Sequence, residues 1–239
     1  MRTAVIALLS VLSAASAAAQ YGPVFNFSGY QWVPKLSNSK VGPGPNFFSA
    51  SNVSVDTQGR LHLKIAKVGG RWQCAEVVMQ GTRGYGTYRF YLDSPVDALD
   101  PSVVLGLFTW NDAPDFHNRE MDIEFAKWGV ANNSNGWYTV QPYDVAGNQV
   151  TFRQPANTPR SIQILDWFAD SSGNNRTVSF SSVAGVSPAS PPYAQQVFTT
   201  GVPPSGGENL RINLWLFRGR APKAPVEIIV NRVEFIPQL

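Results

Sequence analysis

Apolar and polar residues alternate with a period of two along several stretches of the chain, which is typical of strands that bury one face. RLHLKIAKV places Leu61, Leu63 and Ile65 on one side. VVLGLFTW is apolar throughout, as expected for a strand that is covered on both faces. No long segment of the sequence combines a helical apolar period with capping residues. The pattern therefore predicts an all-β protein.

Two later stretches carry a second, less apolar side. GWYTVQPY sends Trp137, Gln141 and Tyr143 to one face, and NLRINLWLF places Asn213 and Trp215 opposite a row of leucine and isoleucine. Loops of Gly, Pro, Asn and Ser separate the short strands, and none is long enough to be a clear linker. These features predict a single domain built as an antiparallel sandwich.

The N-terminal segment has the three regions of a secretory signal peptide. Arg2 precedes an apolar run over residues 4–12, and alanines occupy positions 17–19 before a cleavage site. A membrane anchor is the alternative, but the apolar run is short for a bilayer span. We therefore predict a signal peptide at residues 1–19 and a mature domain at residues 20–239. The mature protein is expected to be secreted, extracellular or periplasmic, without membrane contact.

The composition limits the kinds of active site that the chain can contain. Cys74 is the only cysteine, and His62 and His117 are the only histidines. A disulfide framework is thereby excluded, and a zinc site or a Ser-His-Asp triad is poorly supplied. The net charge of +3 is too small to indicate a nucleic-acid partner. Seven Trp and eight Tyr serve either the core or flat platforms for ligands.

The stretch NREMDIEFAKWG carries three carboxylates at alternate positions, Glu120, Asp122 and Glu124. Met121 and Ile123 lie between them and predict a core-facing row, so the acids share the other, exposed face. With 16 acids in 239 residues, this arrangement is uncommon by chance. A solvated strand face is the ordinary explanation for acids, but large aromatic residues bracket this stretch.

This spacing suits cleavage of a glycosidic bond. At roughly 3.3 Å per residue, the Cα atoms of Glu120 and Glu124 lie about 13 Å apart. Side chains that lean inward could bring the carboxyls to roughly 5 to 8 Å, a range that includes retaining and inverting separations. Crowding of like charges raises at least one pKa, so a protonated acid can stand beside an ionised one. The sequence leaves open which glutamate holds the proton.

These residues resemble a known family. EMDIEF resembles the E-x-D-x-E strand of family-sixteen glycoside hydrolases, as found in bacterial β-glucanases, laminarinases and plant xyloglucan endotransglycosylases. AEVVMQGTRGYGTYRFYL and GLFTWND precede it in the family order, and VQPY, LDW and RINLWLF follow it. The likeness covers residues 25–235. It implies a concanavalin-like β-jelly roll with a concave substrate cleft.

The resemblance also implies roles. Glu120 would be the nucleophile, Glu124 the general acid/base, and Asp122 a partner that tunes Glu120, in a reaction that retains configuration. Trp110 and Trp128 serve either as stacking platforms or as core, and Glu76 either lines the cleft or forms a structural ion pair. The residues that we predict to bind substrate are Glu76, Trp110, Trp128, Gln141, Tyr143, Asn213 and Trp215.

No cofactor is predicted. The family often carries a calcium ion on its convex face, but no group of carboxylates in this sequence has a ligand spacing that would locate one. No metal-binding residue is therefore predicted.

The sequence departs from the family in HNR before the acidic strand and AKW after it, and its loops match no one subgroup. We predict a monomeric, secreted, endo-acting hydrolase of a β-glucan-like polysaccharide. A transglycosylase and a lectin-like binding protein are the alternatives. An intact Glu-Asp-Glu set argues against the lectin, since a binder has little use for crowded carboxylates.

Overall fold

The computed structural model describes residues 20–239, and the predicted signal peptide lies outside the described residues. Three short 3-10 helices lie at Ala50–Asn52, His117–Arg119 and Phe217–Gly219. The strands are β1 (Gln20–Tyr21), β2 (Phe25–Phe27), β3 (Tyr30–Leu36), β4 (Val53–Val55), β5 (Leu61–Val68), β6 (Arg71–Gln73), β7 (Ala75–Met79), β8 (Gly86–Leu92), β9 (Val103–Trp110), β10 (Met121–Ala126), β11 (Gly136–Val140), β12 (Gln149–Phe152), β13 (Ser161–Ala169), β14 (Arg176–Ala184), β15 (Pro192–Phe198), β16 (Asn209–Leu216) and β17 (Val226–Pro237).

The strands form two sheets. The nine-stranded sheet has the order β1-β3-β7-β16-β9-β10-β11-β12, with β2 beside β3. The eight-stranded sheet has the order β15-β14-β13-β8-β17-β5-β4, with β6 beside β5. The strand pairs are antiparallel. The prediction of an all-β antiparallel sandwich is confirmed.

The two sheets share one hydrophobic core, and the alternation in the sequence identifies its residues. Leu61, Leu63 and Ile65 from β5 are fully buried there, as are Ile212 and Leu214 from β16. The sequence predicted these faces correctly because a strand turns successive side chains to opposite sides. Within residues 20–239, no helix is long and apolar enough to cross a membrane.

Cys74 also lies in this core. Its side chain is fully buried, and burial raises the pKa of its thiol to about 12. A thiol in such surroundings stays protonated and packs as a small apolar group.

Candidate active site

The three acids lie on β10 and directly before it, two strands in from the β12 edge of the nine-stranded sheet. Met121 and Ile123 of β10 are fully buried in the core, so Glu120, Asp122 and Glu124 point to the opposite face. There they line a cleft of about 680 Å³. The expectation of an exposed face is wrong: Asp122 is 3% exposed and the two glutamates are half-buried. Neighbouring strands and aromatic side chains cover this face.

A row of side chains crosses the sheet through Glu124. Trp137 of β11 pairs with Glu124, which pairs with Gly106 of β9. Gly106 pairs in turn with Asn213 of β16, and Asn213 pairs with Glu76 of β7. A Cβ atom at position 106 would lie 2.5 Å from Oδ1 of Asn213. The glycine therefore keeps the cleft floor open between Glu124 and Asn213.

Replacing Gly106 with alanine should lower kcat/KM by about tenfold to a hundredfold, because the methyl group displaces the Asn213 amide, and a displacement of about 1 Å can cost that much. Steady-state kinetics on the best substrate would measure the loss. In an Asn213→Ala background the same substitution should cost little further activity, since no amide is left to displace. Equal losses in both backgrounds would contradict this account.

A second row runs through Asp122. Asp122 pairs with Thr139 of β11 and with Phe108 of β9. Gln141 holds the row in place: its Nε2 donates to Oδ2 of Asp122 at 3.0 Å, and its backbone N–H donates to the carbonyl of Glu120 at 3.1 Å. The backbone N–H of Tyr143 donates to Oε1 of Gln141 at 3.0 Å. Gln141 thus orients Asp122, in addition to lining the cleft.

Burial raises the pKa of all three carboxyls. For Glu120, burial is the largest cause, and the negative charges of Asp122 and Glu124 raise the pKa further, while Arg211 lowers it. Burial also raises the pKa of Asp122, and the hydrogen bond from Gln141 lowers it. Burial and the charge of Asp122 raise the pKa of Glu124. Crowding therefore adds to burial at Glu120 and Glu124, in the direction that the sequence predicted.

These shifts cost stability at neutral pH. A carboxyl whose pKa is raised by folding contributes stability below its unfolded pKa, about 4.3 for Glu, and that contribution is lost as the pH rises through the folded pKa. Glu124→Gln cannot ionise and should therefore raise Tm at pH 7 by about 2 to 4 °C, roughly 1 kcal/mol, with a smaller change at pH 4. Calorimetric unfolding at both pH values measures this.

Glu227→Gln is the matched control for that experiment. Glu227 lies on the other sheet, where hydrogen bonds from His62 and Lys64 lower its pKa. Its loss should leave Tm at pH 7 unchanged or slightly lower, because the ionised form is the favoured one. A Tm at pH 7 that does not rise in Glu124→Gln would contradict the burial argument.

Aromatic side chains form one wall of the cleft. The ring centroid of Trp128 lies 6.1 Å from that of Trp137, 6.1 Å from that of Trp215 and 5.4 Å from that of Phe217. All four line the cleft. Trp137 and Phe217 were not among the predicted binding residues, although alternation had placed Trp137 on the correct face. Trp128 lines the cleft and also packs, half-buried, against the hydrophobic core, so both sequence interpretations describe its position.

Trp110 and Tyr143 border the cleft elsewhere. Nε1 of Trp110 donates to Oδ1 of Asp112 at 2.8 Å, and the Arg211 guanidinium lies 5.6 Å from the Trp110 ring. Trp110 lines the cleft, as one of the two sequence interpretations held. Tyr143 is 65% exposed, so its ring is available to a ligand.

Glu76 lies in a buried ion pair that also lines the cleft. Its carboxylate is 2.9 Å from Nζ of Lys35 and 3.6 Å from Nη1 of Arg211. The Lys35 ammonium also donates to the carbonyl of Gly42 at 2.8 Å. Both sequence interpretations of Glu76 therefore describe its position. Lys35 was missed, because nothing in YQWVPKL distinguishes it from a surface lysine.

A left-handed turn leads directly into Glu120. Residues 116–119 all have φ between 50° and 61°, a conformation that costs roughly 1 to 2 kcal/mol per residue. Arg119 stabilises the turn: Nε donates to the carbonyl of Pro204 at 3.1 Å, and the guanidinium lies 5.0 Å from the Phe116 ring. This turn is the HNR segment that departs from the family. His117 is exposed and does not line the cleft.

The described residues do not identify a calcium site. Across residues 20–239, no group of three or more His, Cys, Asp or Glu side chains is placed to hold a metal ion. The calcium ion that the family often carries is therefore not assigned to any of these residues.

Comparisons with known proteins agree with this architecture. No family model and no curated protein matches the sequence. Among solved structures, a Bacillus licheniformis β-glucanase is 18% identical, with a TM-score of 0.66, over 94% of this chain and 100% of that chain. A Bacteroides ovatus family-sixteen enzyme, from a mixed-linkage-glucan locus and solved with its product, is 16% identical, with a TM-score of 0.60, over 86% and 94%.

A Flavobacterium laminarinase is 14% identical, with a TM-score of 0.61, over 85% of this chain and 92% of that chain. The chain therefore has the jelly-roll fold of β-glucanases and laminarinases. The resemblance found in the sequence is confirmed at the level of the fold.

Proposed function

We propose that the chain is a glycoside hydrolase that cuts a β-glucan-like polysaccharide at internal bonds. The observation that carries the proposal is the set of three crowded carboxyls with raised pKa values in an aromatic cleft, on the fold of β-glucanases and laminarinases. Solved proteins with that fold are named as β-glucanases and laminarinases, and this supports the same chemistry for this chain.

The extent of the cleft supports internal cleavage. Its lining runs from Lys35 on β3 to Gln149 on β12, a distance of six strand intervals in the sheet order. At about 4.8 Å per interval, this is about 29 Å. Such a width accommodates several consecutive sugars of one polymer chain, on both sides of the acids.

In the proposed reaction, the Glu120 carboxylate attacks the anomeric carbon while the glycosidic C–O bond breaks. Glu124 gives its proton to the leaving oxygen, and a glycosyl-enzyme forms. Water then gives a proton to Glu124 and attacks the same carbon, which releases Glu120 and restores the original configuration. Asp122, oriented by Gln141, stays beside Glu120 in both steps.

The proposal also covers secretion, the need for a cofactor and the oligomeric state. The signal-like segment at residues 1–19 supports secretion followed by removal of that segment. The reaction needs two carboxyls and water, so we propose that it proceeds without a cofactor. We also propose that the protein acts as a monomer, because all the residues assigned to the reaction come from one chain.

The close spacing of the three carboxyls favours an enzyme over a lectin-like protein. Three half-buried or buried acids reduce stability at neutral pH, and a binding protein gains nothing in return. A transglycosylase would use the same residues and differ only in the acceptor, where a sugar hydroxyl replaces water. Product analysis separates these two activities.

Reducing-end release by the mature protein from Gln20, on laminarin, mixed-linkage glucan, xyloglucan, agarose and carrageenan, tests the proposal. We expect release from a β-glucan and early loss of polymer length. NMR of the first product should show the β-anomer. Longer oligosaccharides formed from added acceptors would identify a transglycosylase. Binding to a polymer with no product from any of them would refute the hydrolase and support the lectin.

A further inference from the structure

Glu120, Asp122 and Glu124 form a row of acids, here called the acid row, and its two ends have different surroundings. Glu124 pairs with Trp137, whose ring contacts Trp128, and across the open floor at Gly106 it faces the uncharged amide of Asn213. The nearest side chains at this end are aromatic or uncharged, and the charged Glu76 lies one strand beyond Asn213. The end at Glu120 contains a buried cation, Arg211.

The side chain of Arg211 points towards the Glu120 end of the row of acids. On β16, Arg211 pairs with Phe108, which pairs with Asp122. Its Nε donates to Oδ1 of Asn209 at 2.8 Å, and Nη2 donates to Oδ1 of Asp112 at 3.0 Å. Both partners lie towards Trp110, away from Gly106 and Glu124, and the contact of Nη1 with Glu76 is longer, at 3.6 Å.

Trp110 marks the Glu120 end of the cleft. Thr109, the residue before it, pairs with Met121, the residue after Glu120. The guanidinium lies 5.6 Å from the Trp110 ring, and the Arg211 side chain is 6% exposed. A charge with so little contact with water is screened weakly, so it acts on nearby carboxyls over a longer distance than a surface charge does.

We propose that Arg211 is a positioning residue that decides which glutamate is ionised: its charge holds Glu120 as a carboxylate and leaves the proton on Glu124. The inference rests on the proposed function, because it assigns the two ionisation states that retention requires. It also answers the question that the spacing of the acids left open.

The other charged groups around the site do not cancel this asymmetry. Glu76 lies 2.9 Å from Lys35 and 3.6 Å from Arg211, so one negative charge faces two cations and the three groups together keep a net positive charge. The Asp112 side chain is 75% exposed, and water screens its charge more than that of Arg211. Burial and the neighbouring acids raise the pKa of both glutamates, and at Glu120 the charge of Arg211 opposes that rise. The titratable and charged groups that surround the acid row are Tyr21 on β1, Lys35 on β3, Glu76 on β7, Asp112 after β9, Arg119 before β10, Tyr143 after β11 and Arg211 on β16.

The test compares Arg211→Met, which removes the charge, with Arg211→Lys, which keeps it. Glutamate carboxyls labelled with ¹³C are titrated by NMR in the wild type and in both variants, and the Glu120 and Glu124 signals are assigned with Glu120→Gln and Glu124→Gln. We expect Arg211→Met to raise the titration midpoint of Glu120 by about 0.5 to 1 pH unit and to move Glu124 less. Arg211→Lys should stay near the wild type.

The pH dependence of kcat/KM provides a second readout. Its acid limb, which reports ionisation of the nucleophile in the free enzyme, should move to higher pH by the same amount in Arg211→Met. A merely structural role would lower kcat/KM without moving this limb. Unchanged midpoints, or equal shifts of Glu120 and Glu124, would overturn the proposal.

Arg211→Gln covers the case in which Arg211→Met does not fold. The glutamine amide can still donate a hydrogen bond but carries no charge, so the Glu120 midpoint should again move to higher pH and the Glu124 midpoint should move less. No movement, or movement to lower pH, would overturn the proposal. Because the NMR titration needs no substrate, it tests Arg211 even if every polysaccharide remains uncut, an outcome that would refute the hydrolase alone.

Discussion

Glu120→Gln should lower kcat by about a thousandfold or more while leaving polysaccharide binding and folding intact. The amide has nearly the shape of the carboxyl, but it cannot form the glycosyl-enzyme. Because Glu120 is half-buried beside two other acids, removal of its charge should not destabilise the fold. Reducing-end assays give the loss of turnover, and affinity electrophoresis in the same polymer gives the binding.

Glu227→Gln is the control for that loss. It makes the same chemical change on the other sheet, at a side chain that is 42% exposed, and should keep wild-type activity. Turnover in Glu120→Gln within about tenfold of the wild type would refute a nucleophilic role. Equal losses in both variants would point to a preparation artefact and not to the site.

The loss of activity in Glu124→Ala should be larger for substrates whose leaving group needs to be protonated. On polysaccharide, we expect kcat/KM to fall by about 10² to 10⁴-fold, since a positioned general acid contributes that much. On an aryl glycoside with a strongly acidic phenol, formation of the glycosyl-enzyme should be nearly unaffected, because that phenolate leaves without protonation. Stopped-flow release of the phenol measures this step.

Azide distinguishes the two glutamates further. In Glu124→Ala the glycosyl-enzyme lacks a base to activate water, and azide, which needs no base, should attack the anomeric carbon and release a β-glycosyl azide. Glu120→Gln cannot form the intermediate and should not respond. Formation of a β-glycosyl azide by Glu120→Gln, with no azide product from Glu124→Ala, would reverse the assignment of the roles, because only a variant that still forms the glycosyl-enzyme yields the β-azide.

The acidic strand shows how far a local pattern extends. Alternation placed Met121 and Ile123 in the core and the acids on the opposite face, and both are observed. The reasoning succeeds because the side-chain period of a strand is a local backbone property. It was wrong about exposure, because the cover over Asp122 comes from other strands.

The charged groups of the cleft show where a local pattern ends. Lys35 and Glu76 are 41 residues apart in sequence, and Arg211 and Asp112 are 99 apart. The period of two puts Arg211 on the same face as Asn213 and Trp215, but it does not determine the direction in which a long side chain points. That direction depends on hydrogen-bond acceptors brought in by distant segments.

By itself, the sequence determined the fold class, the core-facing rows and the three acids, since each depends on neighbours within a few residues. Only the tertiary structure decided that Gly106 opens the cleft floor, that Trp128 belongs to the aromatic wall and that Arg211 stands at the Glu120 end. Those positions depend on strand register between segments far apart in the chain. Electrostatics at the site follows from distances through space, which spacing along the chain does not contain.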